Sequence, residues 1–120
     1  MKVEAQSITQ RTLNDDTIII IPGKTLDNNN AYEMVDVITS AQSRGFKYLI
    51  VDMAVVEFLS SSGVGSILGT VEVSRELGGD IILCNLSETV AHVFNVLDLT
   101  EYLTIRTNEK EAADVCGVNL

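Results

Sequence analysis

Three consecutive serines, Ser60, Ser61 and Ser62, are the residues whose type and position most directly suggest chemistry in this sequence. They follow an apolar run over 48–56 and precede a glycine-containing turn, after which a helical pattern begins. The first amides of a helix lack partners within the helix and carry partial positive charge, so they favour an anion. A serine at such a junction can cap the helix, contact a phosphate or be phosphorylated. The residues alone leave these three alternatives open.

A second polar segment, Asp27-Asn28-Asn29-Asn30, precedes another helical pattern. Asp and Asn side chains favour helix caps and turns, so Asp27 is interpreted either as a capping residue or as part of a binding site. Both polar segments are predicted at points where a strand ends and a helix begins, which is where open α/β sheets form their sites. We therefore expect the two loops to lie on the same rim of the sheet.

The sequence offers no credible catalytic or metal site. The single histidine, His92, lies within a predicted helix and is interpreted as a surface or partly buried structural residue. The motifs GxSxG, GxxxxGK[ST] and GxGxxG are absent, and Cys and His do not cluster at zinc-ligand spacing. The paired carboxylates Asp15-Asp16 and Glu109/Glu111 are predicted in turn or terminal contexts. We therefore expect a binding protein and not an enzyme, with no metal and no cofactor.

The composition predicts one globular domain over residues 1–120, with 46% hydrophobic and 21% charged residues. The net charge of −9 argues against binding to nucleic acid or to an anionic membrane surface, and is compatible with a basic protein partner. No apolar run reaches the roughly 18–20 residues of a membrane helix. Because Cys84 and Cys116 form no disulfide framework and no apolar signal region opens the chain, a cytoplasmic location is predicted.

Apolar runs and helical spacings alternate along the chain, in the order β-β-α-β-α-β-α-β-α. Such alternation predicts parallel βαβ units and an α/β fold, with a mixed, mostly parallel sheet of four to five strands and about four helices. The predicted strands are 3–9, 17–21, 48–53, 81–84 and 103–105, and the predicted helices follow Asn30, Ser62 and Ser87, with a last acidic helix over 108–117.

The stretch from Tyr48 to Ile105 resembles the STAS domain, the fold of the anti-sigma factor antagonist family. The family signature is an apolar strand, an aromatic residue with Met or Leu, and then Asp-Ser-(Ser/Thr/Ala)-Gly-(Leu/Val)-Gly. The corresponding residues here are Phe58-Leu59-Ser60-Ser61-Ser62-Gly63-Val64-Gly65, followed by Ile67-Leu68-Gly69, Gly78-Gly79 and Cys84-Asn85-Leu86-Ser87. Upstream, Gly23-Lys24-Thr25-Leu26-Asp27 is similar to the family's Gly-x-Leu-Asp with one residue inserted. The resemblance implies a single STAS-like domain.

The resemblance also implies a function, that of an anti-sigma factor antagonist that acts by partner switching. In that family the serine after the motif aspartate is phosphorylated by a serine kinase that is itself the anti-sigma factor, and a serine phosphatase resets the switch. By position the phosphorylated serine is Ser61, with Ser62 and Ser60 as alternatives. The implied partner-binding residues are Asp27, Ser60, Ser61, Ser62, Gly63, Val64 and Gly65.

One departure from the family pattern keeps a second function open. Ser60 stands where the family has aspartate, so a carboxylate beside the acceptor hydroxyl is missing. The alternative is a STAS scaffold or adaptor subunit of a signalling or transport assembly that is not phosphorylated. A small-anion or nucleotide-binding module is disfavoured, because a phosphate-binding loop normally has more glycine and a lysine. Gly63 and Gly65 either allow tight packing of the helix start or leave room for a partner.

Overall fold

The computed structural model describes residues 8–120, which form seven strands and four helices. The strands are β1 (Thr9–Asn14), β2 (Thr17–Ile21), β3 (Thr25–Leu26), β4 (Tyr48–Asp52), β5 (Phe58–Leu59), β6 (Asp80–Cys84) and β7 (Thr104–Arg106). The helices are α1 (Ala31–Ser43), α2 (Ser61–Glu76), α3 (Glu88–Val96) and α4 (Glu109–Val115). Within this part of the chain, no helix is both long enough and apolar enough to cross a bilayer.

Five of the strands form one sheet in the order β1-β2-β4-β6-β7. β1 pairs antiparallel with β2, and the remaining neighbours pair in parallel, with Ile18 opposite Leu49 and Leu49 opposite Ile81. The apolar runs of β2, β4 and β6 form the centre because central strands of a parallel sheet are buried on both faces. This confirms the predicted mixed, mostly parallel α/β sheet with four helices.

Alternate residues of the central strands enter two separate cores, because successive side chains of a strand point to opposite faces. One core joins the sheet to α1, α2 and α3 through residues such as Ile38, Ile67 and Phe94. The other joins Ile50 and its neighbours to the alanines of α4. Three helices therefore cover one face of the sheet and α4 covers the other.

The structure corrects the predicted elements in three places. α2 begins at Ser61, so the last two serines and both motif glycines lie inside the helix and not before it, because Ser60 alone provides the cap. The strand that pairs with β2 is Thr9–Asn14, later in the chain than the predicted range 3–9, of which residues 3–7 lie outside the described part. The two-residue strands β3 and β5, which pair with each other in parallel, were not predicted. The edge strand β7 and the final helix α4 lie close to their predicted ranges.

Candidate functional site

The pairing of β3 with β5 brings the two polar loops together. Leu26 pairs with Leu59, and the next residue along, Ser60, donates its backbone N–H to the Leu26 carbonyl at 3.0 Å. Asp27 and Ser60 therefore lie side by side, each one residue beyond the end of this short parallel ladder. The expectation that both loops lie on one rim is met, through a ladder too short to have a periodic sequence signal.

Ser60 is the N-cap residue of α2. Its backbone is extended (φ −96°, ψ 172°), and its hydroxyl oxygen accepts the Gly63 N–H at 3.3 Å. Its carbonyl accepts the Val64 N–H at 3.0 Å, which is the first hydrogen bond of the helix. One serine of the three thus satisfies an amide that the helix leaves unpaired, and a cap of this kind contributes about 1 kcal/mol.

Ser61 and Ser62 are the first two residues of α2, and both are exposed. Among residues 8–120, neither hydroxyl has a hydrogen-bond partner. The first turn of α2 also lacks an acidic side chain, whereas those of the other three helices carry Glu33, Glu88 and Glu109. The partial positive charge at the start of α2 is therefore left without a counter-charge from its own first turn.

The two glycines of the motif have different environments. A Cβ on Gly63 would lie 2.2 Å from the Leu26 carbonyl oxygen, so Gly63 allows the helix to start directly against β3. A Cβ on Gly65 would have no atom within 4 Å, and Gly65 is exposed. Val64, between them, is buried in the core. Of the predicted partner-binding residues, the structure thus places Gly63 and Val64 inside the protein.

Asp27 organises the loop before α1. Its carboxylate accepts the Asn29 N–H at 2.9 Å, and its N–H donates to the Asn30 side chain at 2.9 Å. Its carbonyl accepts the Ala31 N–H at 2.8 Å. The N-cap residue of α1 is Asn30, so Asp27 forms a turn before the helix and is not its cap. Asp27 is half-buried, and its backbone follows Leu26, whose partner Leu59 precedes the serine loop.

A groove of about 320 Å³ opens between the starts of α1 and α2, next to Ser62. Tyr32 is 85% exposed at this groove. Sequence reasoning missed it, although an aromatic residue one position off the apolar stripe of α1 is a usable signal. The lining residues are Asn28, Ala31, Tyr32, Val35, Ser62, Gly65 and Ser66.

A buried polar contact fixes α1 against α2. Gln42 is buried, and its side-chain amide donates to the Thr70 carbonyl and to the Ser74 hydroxyl, both at 2.9 Å. Buried polar side chains need such partners, so this contact selects one arrangement of the two helices. The groove beside the serines therefore has a defined shape.

One cluster of ionisable groups with shifted pKa values lies on the face of the sheet that α4 covers. Burial raises the pKa of Asp52, but hydrogen bonding with Glu109, the Ala54 amide and Asn85 outweighs it, so the pKa lies below its usual range. Hydrogen bonding with Asp52, followed by burial, raises the pKa of Glu109. Burial raises the pKa of Cys84 to about 12, so this thiol is unreactive near neutral pH.

The described residues do not form a metal site. Within residues 8–120, no group of three or more His, Cys, Asp or Glu side chains is arranged to hold a metal ion. His92 lies on α3 and is exposed; the sequence predicted a surface or partly buried position. The serine site itself offers exposed hydroxyls at the positive end of a helix.

The STAS domain family matches residues 8–112 of this chain. An anti-sigma F factor antagonist from Paenibacillus polymyxa is 27% identical over 71 residues, which span 59% of this chain and 61% of that protein. The match thus extends over less than two thirds of that relative.

Solved structures show the same fold. The anti-sigma factor antagonist SpoIIAA in its unphosphorylated form superposes with a TM-score of 0.80 at 25% identity, covering 95% of this chain and all of that one. The phosphorylated form of the Bacillus cell fate determinant SpoIIAA gives a TM-score of 0.70 at 27% identity, covering 90% of this chain and 97% of that one. Since the family match extends over most of the sequence, this chain belongs to the STAS domain family, with the fold of the anti-sigma factor antagonists.

Proposed function

We propose that this protein is an anti-sigma factor antagonist that acts by partner switching. Unphosphorylated, it binds a serine-kinase anti-sigma factor; phosphorylation of Ser61 releases it, and a serine phosphatase resets it. It does so in the cytoplasm and has no catalytic activity of its own. The observation that carries the proposal is an exposed hydroxyl, Ser61, at the start of a helix whose first turn has no acidic residue.

The environments of the three serines favour Ser61 as the acceptor. Ser60 is half-buried and its hydroxyl oxygen accepts the Gly63 N–H, so it is less accessible to a kinase than an exposed serine. Ser62 lines the groove toward α1. Ser61 is exposed, and its hydroxyl is free of protein partners within the described residues. A kinase can therefore reach Ser61 without disturbing the helix start.

The Ser60 departure is compatible with this assignment. Aspartate and serine are both strong N-cap residues, so serine retains the local geometry that an aspartate would support. What is lost is a negative charge beside the acceptor. Because the loop is then less acidic, a different kinase surface would recognise it. Ser61 itself remains the first residue of α2.

A phosphate on Ser61 would act on the interface and not on the fold. It adds a charge of about −1.5 to −2 and three acceptor oxygens. The start of a helix stabilises such a charge, so the domain itself tolerates it. On a docking face the same group adds bulk and repels partner carboxylates, and a penalty of about 3–4 kcal/mol would weaken binding by two to three decades.

The direct test is phosphorylation by the candidate serine kinase from the same genome with ATP, followed by localisation of the phosphate by mass spectrometry. Ser60→Ala, Ser61→Ala and Ser62→Ala are matched variants, since each removes one hydroxyl from the same loop. We expect one phosphate on wild type, on Ser61, and none on Ser61→Ala. A phosphate that persists in Ser61→Ala would show that the acceptor is a different residue.

The same variants test the direction of the switch. Ser61→Ala should bind the kinase as wild type does, and Ser61→Asp should bind at least tenfold more weakly, since a carboxylate supplies part of the phosphate charge. Calorimetric titration measures both. If Ser61→Asp kept full affinity and Ser61→Ala lost it, the switch would have the opposite sign.

The Ser60 departure supports a second candidate function, a STAS scaffold or adaptor subunit that is not phosphorylated. A stable complex with another protein, combined with no phosphate after incubation with the kinase, would favour the scaffold.

A further inference from the structure

Two depressions lie between α1 and α2, one toward each end of the helix pair. The groove beside Ser62 lies at the starts of both helices, and a second depression of about 330 Å³ lies at their ends. We call this surface the α1–α2 valley. It comprises the first groove together with the residues of the second depression, Thr39, Gln42, Ser43, Val73 and Leu77.

The valley is open along its α2 side because two glycines there have no side chain. A Cβ on Gly65 or on Gly69 would meet nothing within 4 Å. The two residues are one helical turn apart and both are exposed. Since a helix interior normally disfavours glycine by about 0.5–1 kcal/mol relative to alanine, two open glycines on one face leave room at a cost in stability.

Apolar side chains line the valley without being covered. Tyr32 at one end is 85% exposed, and Val73 and Leu77 at the other are 40% and 47% exposed. Both walls are helices, whose backbone groups are hydrogen-bonded internally, so a strand cannot add here as it adds to a sheet edge. A helix that packs its side chains between two others is the mode that fits such walls.

Acidic side chains predominate around the valley. Residues 25–43 and 48–74 contain Asp and Glu but no Lys or Arg. Asp36 lies one turn from Tyr32, and Glu76 lies two turns from Gly69, both exposed. Two arginines lie at the ends of the helices. Arg75 is paired with Asp80, whereas Arg44 hydrogen-bonds the uncharged Gln10 side chain and Ser40 carbonyl and remains a basic charge at the far end. A partner segment of positive charge is therefore complementary to the valley.

The spacing of the two depressions sets the length of that segment. Their centres are separated by about ten residues along α1 and α2, which at about 1.5 Å per residue is about 15 Å. Three turns of an incoming helix span this distance. An amphipathic helix can place one apolar anchor in each depression and its lysine or arginine side chains beside Asp36 and Glu76.

We propose that the α1–α2 valley seats a positively charged amphipathic helix of the kinase anti-sigma factor. The proposal rests on the proposed function, because it assigns a second contact to the same partner. The far depression lies beyond the Debye length of about 8 Å from the start of α2, so a phosphate on Ser61 hardly acts there. The valley supplies affinity in both states, and the serine controls release.

Calorimetric titration of the candidate kinase tests this with Gly65→Leu and Gly69→Leu, which fill the valley. His92→Leu is the matched control, since it adds the same side chain to an exposed helical position on α3. We expect Gly65→Leu and Gly69→Leu to weaken binding about tenfold or more, and His92→Leu to change it less than twofold. Leucine favours a helix more than glycine does, so both valley variants should unfold at or above the wild-type temperature.

A second arm tests the charge. The double variant Asp36→Lys, Glu76→Lys changes only exposed side chains and should also weaken binding, most strongly at low salt. Wild-type affinity for Gly69→Leu and for the double variant, with weakened binding of Ser61→Asp, would overturn the valley proposal and leave the switch intact. Failure of wild type to bind the kinase at all would overturn both.

Discussion

The starts of α2 and α4 lie on opposite faces of the sheet and are built in different ways. α4 begins with a reciprocal cap: Asn108 accepts the Glu111 N–H, and the Glu111 carboxylate accepts the Thr107 N–H. Its first residue, Glu109, is paired with Arg11 and with Asp52. α2 begins with three serines, one of which caps the helix while the next two face solvent.

A dense cluster of ionisable side chains is therefore a poor guide to the site in this fold. The groups around Glu109 have shifted pKa values, but they satisfy one another and hold α4 on the sheet. The start of α2 has exposed hydroxyls and a partial positive charge that no acidic residue of its first turn balances. A group added from outside, such as a phosphate, therefore changes the surface at α2, whereas the same charge at α4 would meet an existing carboxylate.

The largest expected effect comes from the contact that seats α2. Gly63→Ala places a methyl group 2.2 Å from the Leu26 carbonyl oxygen, and neither backbone can move freely. We expect a loss of about 3 kcal/mol in the free energy of unfolding. Gly65→Ala is the matched control, which should stabilise by about 0.5–1 kcal/mol because its Cβ has open space. Urea denaturation measures the stability of both variants. Equal stabilities would contradict the close contact between the start of α2 and β3.

An intermediate effect is expected at α4. Asp52→Ala leaves the Ala54 N–H and the Asn85 side-chain amide without an acceptor, at a cost of about 1–3 kcal/mol. Phosphorylation of Ser61 and affinity for the kinase should not change. A variant that loses kinase binding while still folded would show that the two helix starts are not independent.

The pH dependence of that variant has a defined sign. Because the folded-state pKa of Asp52 is lowered, its contribution to stability is present above its ordinary pKa of 3.8 and is lost as the pH falls through the folded value. The stability difference between wild type and Asp52→Ala should therefore shrink in acid below that pH. Glu109, whose pKa is raised, has the opposite dependence: its contribution declines as the pH rises through its folded value.

The smallest effect concerns the partial positive charge at the start of α2, which has no acidic residue in its first turn. Ser61→Asp should stabilise the isolated protein by about 0.3–1 kcal/mol at low salt, since it adds the acidic residue that the first turn lacks. Ser61→Lys should destabilise it by a similar amount. Thermal unfolding at low and high salt measures both. A loss of stability in Ser61→Asp would contradict the claim that the fold tolerates a phosphate here.

The elements were predictable from the sequence where a periodic pattern is long enough to be seen. The β-branched run of β2, the glycines after α2 and the serine junction all identified their elements. The ladder between Leu26 and Leu59 was not predictable, because it contains two residues on each side and joins segments about thirty residues apart in sequence.

Within the site, the residue types were predictable and their environments were not. Gly63 and Gly65 belong to the same motif, but one contacts a distant backbone carbonyl and the other faces open space. The exposure of Tyr32 and the burial of Gln42 likewise depend on how α1 lies on α2. Contacts between segments far apart in sequence decide these properties.

We propose that a phosphate on Ser61 releases the partner without unfolding the domain. The most direct measurement is a titration of the kinase anti-sigma factor, with ADP in place of ATP, into the unphosphorylated protein and into protein phosphorylated on Ser61. We expect a 100- to 1000-fold weaker affinity for the phosphorylated form, corresponding to about 3–4 kcal/mol, with an unchanged or slightly higher unfolding temperature. Equal affinities for the two forms, or weaker binding accompanied by an unfolded domain, would contradict it.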